Sequence, residues 1–437
     1  MKTYSFPRGG FIFEDSTAPL KSEDNRAIDA FLPVISVISL GDSKSKVYPL
    51  VSPGDVVREG MLIGKSSGPM SVNVHATVPG RVIRKVTWKD RENRDNEGFV
   101  IKMEGSFERL GRKEEMFSWA GLNGYDLQRL ISEYGIVEME NAGRPLSQII
   151  SAFRKENEKL TLVIRCVFDD PWLVADYALC MERIREVIEG ASIVAKACLK
   201  VKHIIFAVSH HEKNDLGVKL LAEAENLGFP SSIVLTGCRY PQRNNRELEM
   251  ALRLYEKNEG LTLGSFLILG PSVLAAVADT VKYKKPVLDR YVAVGGSAVQ
   301  KPQIMKVRIG TRVGELIEQC GGFIKKPCRI VVGSPLSGRE VMYLDEPVEK
   351  TCYAIAAMSK EQAAIHDHQN CINCGECRAV CPVGLDPQYI YKQIKILGAE
   401  NTEVNDCHGC GCCKIVCPSA LPLSEIILEK KREVKSV

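Results

Sequence analysis

Nine of the sixteen cysteines lie in two short runs near the C-terminus, eight of them at a repeated spacing, and thiolates at such close spacing are ligands for soft metals. Both runs follow the pattern C-x2-C-x2-C-x3-C-P. The first run, CINCGECRAVCP, contains Cys371, Cys374, Cys377 and Cys381. The second run, CHGCGCCKIVCP, contains Cys407, Cys410, Cys413 and Cys417.

This spacing is that of the bacterial two-cluster ferredoxins. In that pattern the first three cysteines of a run hold one [4Fe-4S] cube, and the fourth reaches across to the other cube. Crossed ligation assigns the first cluster to Cys371, Cys374, Cys377 and Cys417. It assigns the second cluster to Cys407, Cys410, Cys413 and Cys381. The pattern therefore predicts a carrier of single electrons.

Zinc and disulfides are the competing interpretations of these cysteines, and both fit poorly. A structural zinc site needs neither the third cysteine of a run nor the closing Cys-Pro. A disulfide framework indicates an exported chain, whereas the opening MKTYSFPRGG has no apolar stretch and does not look like a signal peptide. We expect reduced thiols.

Cys412 is left over from the second run. Using it in place of Cys413 would shorten the third spacing to C-x1-C, so we predict that Cys413 is the ligand. Gly375, Gly409 and Gly411 would let the backbone wrap around a cluster with its amides free to donate to sulfur. The other cysteines are scattered singly, and we expect most of them to be inert apolar residues.

Composition places the chain among soluble proteins of several domains. Its 437 residues are 45% hydrophobic and 26% charged, and the net charge is +4. The basic residues are interspersed with acidic ones, so no basic stripe indicates nucleic-acid binding. The most apolar stretch, 264–279, is interrupted by Gly270 and Pro271 and is too short to span a membrane.

Hydrophobic periodicity predicts a multidomain α/β and α+β protein. Short alternating strands around Pro53, Gly54 and Gly80 resemble the barrel-sandwich hybrid of biotinyl and lipoyl domains. The tip SSGPMSVN has no lysine to carry a prosthetic group, so we expect a docking or structural module, with His75 as a half-buried strand residue. β-Branched runs alternating with amphipathic segments then predict a largely parallel sheet with helices. The predicted units are an N-terminal extension (1–30), the sandwich (31–105), the α/β domain (122–286), a β-grasp domain (287–345) and the helical two-cluster domain (355–437).

From end to end, the chain resembles the C subunit of the Rnf complex, a membrane-bound ferredoxin:NAD oxidoreductase that pumps sodium ions or protons. The resemblance rests on FPRGG at the start, VHATVPG in the sandwich, GIVEMENAGRP, ADY, YPQ, VRIGT and the double cysteine run. The α/β part also resembles the flavin-bearing subunit of respiratory complex I. The resemblance implies a site for flavin mononucleotide (FMN) and NAD(H) in the α/β domain, with Gly135, Ala142, Gly143, Asp170 and Tyr240 as candidate cofactor-binding residues.

Three loops of that implied site depart from the family pattern. Glu138, Glu140 and Asn141 replace glycines that would bring backbone amides against the flavin phosphate. Arg165 begins a segment, RCVFDDPW, that stands for N-G-A-E-C-E-P-Y, and YPQRNNRE stands for Y-P-Q-G-G-E-K-Q. Two interpretations follow: the fold has lost the flavin, or it binds the flavin through altered contacts. A bulky Phe168 or Trp172 would then be an ordinary core residue.

The resemblance also implies partners and a location. The partners are the A, B, D, E and G subunits of the membrane complex and a ferredoxin-linked electron donor, with the chain held peripherally at the cytoplasmic face of the membrane. The basic end LSEIILEKKREVKSV could meet anionic lipid or a partner, or be a solvated helix end. The alternative functions are a non-catalytic iron–sulfur adaptor and an electron carrier like the cobalamin reductases. No residue is predicted to be catalytic.

Overall fold

The predicted fold class is confirmed by the structure, a computed structural model. It describes residues 2–13, 26–42, 47–89, 95–140, 143–156, 159–225, 229–363, 369–398 and 401–436. None of the helices in these ranges is long and apolar enough to cross a membrane. The apolar stretch 264–279 is divided by Gly270 and Pro271 into a strand and the start of a helix.

The N-terminal unit is a sandwich of two antiparallel sheets, as the alternating pattern predicts. One sheet has the order β3-β9-β8-β5 and the other the order β4-β6-β7. Their inward-facing side chains, such as Ile63, Val82, Phe99 and Ile101, form one apolar core. The strands are β3 (Ile35–Asp42), β4 (Val47–Pro49), β5 (Val56–Val57), β6 (Leu62–Ser66), β7 (Val74–His75), β8 (Gly80–Lys89) and β9 (Asp95–Met103).

The tip between β6 and β7 is a tight polar turn that packs against the α/β unit. Ser66 Oγ and Ser71 Oγ lie 2.8 Å apart, and Asn73 Nδ2 donates to the carbonyl of Glu133 across 2.9 Å. His75 is half-buried and stacks on Tyr134, and its burial lowers the pKa of the imidazole to about 3. The tip is therefore a docking contact.

The second unit is a parallel sheet with helices on both faces. Its strand order is β1-β12-β11-β10-β13, in which β1 is Thr3–Tyr4, and every pairing is parallel. The β10 strand is buried at every position, as expected for a central parallel strand. The strands are β10 (Leu160–Cys166), β11 (Val201–Ser209), β12 (Ser231–Thr236) and β13 (Ser265–Leu269). The helices are α1 (Gly124–Glu133), α2 (Leu146–Glu156), α3 (Val174–Glu182), α4 (Ile184–Cys198), α5 (Val218–Ala224), α6 (Asn245–Glu259) and α7 (Pro271–Tyr283).

The N-terminal segment is not a separate extension, because strands near both of its ends belong to other units. β1 (Thr3–Tyr4) pairs in parallel with β12 and forms the edge of the α/β sheet. β2 (Ile28–Asp29) pairs in parallel with a strand of the third unit. Two-residue strands carry too little periodic signal for the sequence to reveal them.

The third unit is a β-grasp sheet of order β17-β16-β18-β14-β15-β2 with one short helix. It extends beyond the predicted boundary, because β18 lies between β14 and β16 in the middle of the sheet. Residues 354–358, mostly assigned to the cluster domain from sequence, thus belong here. The elements are β14 (Asp289–Gly295), β15 (Gln303–Arg308), α8 (Val313–Gln319), β16 (Arg329–Val332), β17 (Arg339–Glu340) and β18 (Ala354–Met358).

The C-terminal unit is helical, and its two cysteine runs have the same local fold. A short helix follows the second cysteine of each run, and a longer helix follows each run. The helices are α9 (Glu376–Ala379), α10 (Pro387–Lys395), α11 (Cys412–Ile415) and α12 (Leu423–Ser436). Asp386 caps the start of α10 by accepting from the Tyr389 amide at 3.0 Å.

Candidate metal centre and the adjoining loops

The first group of thiols joins both cysteine runs. Three cysteines of the first run and the last cysteine of the second line one cavity, together with the apolar side chains of Leu421 and Leu423. These four are Cys371, Cys374, Cys377 and Cys417. Cys374 is exposed, while Cys377 is buried. The fold therefore brings together the four residues that crossed ligation assigns to the first cluster.

The second group has the reciprocal composition. Burial raises the pKa of the Cys413 thiol, and the nearby thiols of Cys410, Cys407, Cys381 and, from the first group, Cys377 add to that shift. Cys407 has Cys410 and Cys381 as neighbours in the same way. Cys381, the last cysteine of the first run, thus lies among the first three of the second.

The thiols are spaced too widely for a single metal ion. Tetrahedral zinc bonded to four thiolates would hold the sulfur atoms about 3.8 Å apart. Among the described residues, the only three His, Cys, Asp or Glu ligand atoms within 4.8 Å of one another belong to His210, His211 and Cys238. Both cysteine groups are therefore wider than a zinc site and suit a multi-iron cluster.

The backbone repeats itself around the two groups. Left-handed φ angles occur at three equivalent positions of the two runs, as the following pairs show. They are Asn373 (59°) with Gly409 (73°), Gly375 (81°) with Gly411 (78°), and Gly384 (74°) with Ala420 (51°). A left-handed conformation costs a residue with a Cβ about 1–2 kcal/mol. Asn373 and Ala420 adopt it nevertheless, so the course of the loop, and not the preference of the residue, determines the backbone conformation at these positions.

The Cys412 thiol lies beside the thiol of Cys410. Cys412 is fully buried in an apolar cluster with Tyr240 and Val380, against which Leu336 and Phe11 pack. Its neighbour Cys413 belongs instead to the apolar cluster that contains Cys377. Cys413 stays the predicted ligand because of the spacing of the run, and the apolar cluster gives Cys412 a packing role.

The second thiol group abuts the α/β unit. Tyr240 Oη donates to the carbonyl of Cys410 at 2.8 Å, and His408 Nδ1 lies 2.9 Å from Glu247 Oε1. The N-terminal segment is wedged between the two units, since the Gly10 amide donates to the Val380 carbonyl at 2.8 Å. A Cβ at Gly9 would collide with the backbone of Cys381, which explains a glycine there.

A buried network of charges joins the three loops that depart from the family pattern. Arg165 forms an ion pair with Glu140 and lies 3.8 Å from a carboxylate oxygen of Glu138. Arg243 reaches the same Glu140 carboxylate at 2.5 Å. Asn245 accepts from Arg165 at 2.6 Å. The Arg165 and Glu140 side chains are only 3% and 4% exposed. Each loop thus supplies a charge that another loop neutralises.

The Glu140 carboxylate is also held against the start of α7. A Cβ at Gly270, the residue that precedes Pro271, would overlap this carboxylate. Within the described part of the chain, Glu140 Oε1 has no hydrogen-bond partner. The loops therefore carry their own anion next to a helix N-terminus, with two arginines beside it.

Two further carboxyl groups of this region are buried and serve the local backbone. Asp169 Oδ2 accepts from the Arg243 amide at 3.0 Å, and burial raises the pKa of Asp169 to about 7. Asp170 caps the turn at Pro171–Leu173 by accepting from the Trp172 amide at 3.0 Å, and burial raises its pKa as well. Trp172 is buried, and Phe168 packs edge-on against Tyr177.

The four candidate cofactor-binding residues that the structure describes all make other contacts. Gly135 has a left-handed φ of 65° after α1, and a Cβ there would meet the carbonyl of Asn73. Its own carbonyl accepts from Lys350 Nζ at 2.7 Å. Gly143 lies next to Thr351, and Tyr240 serves the Cys410 loop. Ala142 and Asn141 lie outside the described residues.

A cavity of about 740 Å³ adjoins the network and the second thiol group. All four units contribute to its wall. Among the lining residues are Met70, Glu140, Tyr240, Lys350 and Cys410. Sequence reasoning did not predict this cavity, because its wall comes from segments that are far apart in the chain.

Each unit matches a known protein family. Residues 20–106 match the RnfC barrel sandwich hybrid domain, and 131–254 match the Nuo51 FMN-binding domain. Residues 291–345 match the SLBB domain, and 363–419 match the 4Fe-4S dicluster domain. The last match agrees with the two thiol groups.

Similar proteins of known name carry these domains too. The chain is 30% identical to the C subunit of the ion-translocating oxidoreductase complex of Rhodobacter capsulatus, over 78% of this chain and 66% of that protein. The chain belongs to the RnfC family. It is also 28% identical to the C subunit of the Na(+)-translocating ferredoxin:NAD(+) oxidoreductase complex of Acetobacterium woodii, over 78% of this chain and 76% of that one. It is 27% identical to the C subunit of the proton-translocating complex of Clostridium ljungdahlii, over 90% and 84%.

Solved structures give a weaker likeness to this RnfC relative. An NAD+-reducing [NiFe]-hydrogenase in the H2-reduced state matches with a TM-score of 0.49 and 13% identity, over 72% of this chain and 61% of that chain. Membership of the RnfC family rests on the sequence relatives.

The family implies [4Fe-4S] clusters and a flavin, and the described residues suit only the clusters. Two groups of four thiols, wide spacing and repeated left-handed turns fit two cubes. At the flavin-type loops, the Glu138 amide already donates to the Arg144 carbonyl at 2.9 Å, and Glu140 already pairs with both arginines. A flavin phosphate would bring a second anion into a buried site whose cations are in use. The described residues of these loops do not fit a flavin phosphate.

Proposed function

We propose that this chain is a peripheral electron-transfer subunit of a membrane-bound, ion-translocating Rnf-type complex. In that complex it relays electrons between a ferredoxin-linked donor and NAD. The observation that supports this function is the pair of crossed four-cysteine groups. The proposed ligands are Cys371, Cys374, Cys377 and Cys417 for one cluster and Cys407, Cys410, Cys413 and Cys381 for the other. When bound, the two [4Fe-4S] clusters supply one-electron transfer.

The two thiol groups differ in how far the protein covers them. Cys374 of the first group is exposed, whereas the second group is covered by Tyr240 and by the N-terminal segment at Gly9 and Gly10. We infer that the first group faces a redox partner. The second group faces the interior, next to the cavity of about 740 Å³. The proposed partners are the A, B, D, E and G subunits of the complex, at the cytoplasmic face of the membrane.

The function is tested in membranes of the source organism. Deleting the gene for this chain should abolish ferredoxin-dependent NAD reduction, and the wild-type chain should restore it. A Cys371→Ala/Cys407→Ala double variant should not restore it, although the variant should still be found on the membrane. Exposed Cys328 offers a matched control, because Cys328→Ser should restore full activity. Restoration by the double variant would overturn the proposal.

Crossed ligation is tested on the purified full chain, reconstituted anaerobically. Wild type should hold about eight iron atoms, and Cys371→Ala and Cys417→Ala should each hold about four. Because both residues belong to one cluster, their double variant should also keep about four. Cys371→Ala/Cys381→Ala should lose nearly all iron. Four remaining iron atoms in that last variant would contradict the crossed assignment.

A second function, an iron–sulfur adaptor without its own flavin, is favoured by the buried network of Arg165, Glu140 and Arg243. In that case the chain passes single electrons, and the hydride chemistry of NAD takes place on another protein. An electron carrier resembling the cobalamin reductases is the related alternative. The two functions are distinguished by titrating FMN and NADH into the reconstituted chain. Bound flavin and reduction by NADH support the first function, and the failure of both supports the adaptor.

A further inference from the structure

His210, His211 and Cys238 form a cluster of ligand atoms outside the iron–sulfur groups. The two imidazoles and the thiol each offer an atom, and these three atoms lie within 4.8 Å of one another. Both histidines are exposed, and Cys238 is half-buried. Among the described residues, none of the three side chains makes a hydrogen bond that would compete with a metal.

The topology of the α/β sheet brings these residues together. β11 and β12 are neighbouring parallel strands, and their last residues, Ser209 and Thr236, are in register. His210 and His211 follow β11 directly in a short turn, and Cys238 follows β12 after one glycine. The cluster therefore lies at the carboxyl edge of the sheet, on segments whose positions the strands fix.

The ligand set suits zinc. Zn2+ binds histidine nitrogen at about 2.0–2.1 Å and cysteine sulfur at about 2.3 Å, so tetrahedral ligand atoms lie about 3.3–3.6 Å apart. Bringing the three ligand atoms to these distances requires only small side-chain rotations, because the histidines are exposed and adjacent. Glu212 follows His211 and accepts from Tyr177 Oη at 3.2 Å, which keeps a carboxylate beside the imidazoles.

We propose that His210, His211 and Cys238 bind one Zn2+ ion, with the fourth position open to water. The metal would fasten the end of β12 at the point where the loop to α6 begins. In that loop Arg239 donates to the carbonyls of Gly9 and Phe6 at 2.8 and 2.6 Å, and Tyr240 contacts Cys410. The ion thus stabilises the segment that covers the second thiol group.

The test uses the full chain with its clusters already reconstituted, so that cluster cysteines are not free to take zinc. The chain is incubated with one equivalent of zinc chloride and desalted, and zinc and iron are measured by mass spectrometry. Wild type should retain about one zinc beside about eight iron atoms. Zinc K-edge absorption should give nitrogen and sulfur neighbours at about 2.0 and 2.3 Å.

Three variants separate this site from the clusters. Cys238→Ser and His210→Ala/His211→Ala should each weaken zinc binding about tenfold or more, with iron content unchanged. Cys328→Ser removes an exposed cysteine of the β-grasp unit and should leave zinc unchanged. Zinc retained equally by all variants, absent from wild type, or bound only with loss of iron would overturn the proposal. Iron content and cluster reduction are read separately, so this outcome is independent of the proposed electron relay.

Discussion

Tyr240 Oη donates a hydrogen bond of 2.8 Å to the backbone carbonyl of Cys410, and this bond joins the α/β unit to the second cysteine run. Tyr240 is only 4% exposed and packs against Phe11 and Phe13. Burial raises the pKa of Tyr240 well above its usual range, so the phenol remains a donor at any pH the clusters tolerate. The residue that the family resemblance suggests for a cofactor therefore supports a cluster loop.

Removing this phenol should destabilise the protein without releasing iron. Tyr240→Phe leaves the Cys410 carbonyl without its donor, and we expect the free energy of unfolding to fall by about 1–3 kcal/mol. Iron content should stay at about eight, while the reduction potential of one cluster should change. Denaturant titration and a redox titration measure the two effects. Tyr389→Phe, at a phenol in the cluster domain that is 52% exposed, is the control, and equal stability of both variants would contradict this prediction.

Substitution of the adjacent residues Cys412 and Cys413 should have different effects on iron content. Cys413 lies with the other thiols, so Cys413→Ser should reduce the iron content from about eight to about four atoms. Cys412 is buried against Tyr240 and Val380, so Cys412→Ser should keep the iron and lose stability by burying a hydroxyl. Iron and sulfide analysis checks both variants. Iron loss in Cys412→Ser with retention in Cys413→Ser would reverse the assignment.

The cysteine runs could be interpreted from sequence because their chemistry is local. Spacing along the chain identifies the ligands, and the repeat of 36 residues between Cys371 and Cys407 places them on equivalent loops. The order of domains was also predictable, because periodicity marks strands of five or more residues. The two-residue strands β1 and β2 carried no such signal.

The charge network could not be predicted, because it depends on contacts between distant segments. Glu140, Arg165 and Arg243 look like three separate departures from a family pattern until the fold brings them together. The sequence signal that was available is the sign of the substitutions: Glu138 and Glu140 are acidic and Arg165 and Arg243 are basic, in loops that the family places around one pocket. Compensating charges of this kind indicate mutual pairing.

Removing one charge of the buried network should lower the free energy of unfolding more than removing two opposite charges together. Arg165→Met leaves Glu138 and Glu140 buried with less compensation, and we expect a loss of about 3–5 kcal/mol in the free energy of unfolding. Arg165→Met/Glu140→Gln should cost less than the sum of the two single variants, with a coupling energy of about 1–3 kcal/mol. Denaturant titration of the four proteins measures the cycle.

An exposed pair provides the control for this cycle. The Arg253 and Glu249 side chains are 42% and 50% exposed and should couple by no more than about 0.5 kcal/mol. Additive losses at Arg165 and Glu140 would show that the two groups do not stabilise each other.

Asp169 should make the protein less stable as the pH rises towards neutrality. Burial raises its pKa from 3.8 to about 7 in the folded chain, although the Arg243 amide and side chain oppose that shift. A carboxyl with a raised folded-state pKa stabilises the fold fully below the unfolded pKa, and this contribution is lost as the pH rises through the folded pKa. Between about pH 5 and 6 the slope is about −1.4 kcal/mol per pH unit, because the unfolded chain releases a proton that the folded chain keeps.

The Asp169→Asn variant isolates this contribution, because asparagine cannot titrate. Between pH 5.5 and 7, where we expect the clusters to remain bound, the stability of wild type relative to the variant should fall by about 1.6 kcal/mol. Anaerobic denaturant titrations at several pH values measure the difference, and shared effects of the clusters cancel in it. Asp345→Asn, the same substitution at a side chain that is 81% exposed, is the control. A flat difference for Asp169→Asn would mean that the folded chain does not hold a proton on this carboxyl, and that Arg243 keeps it ionised.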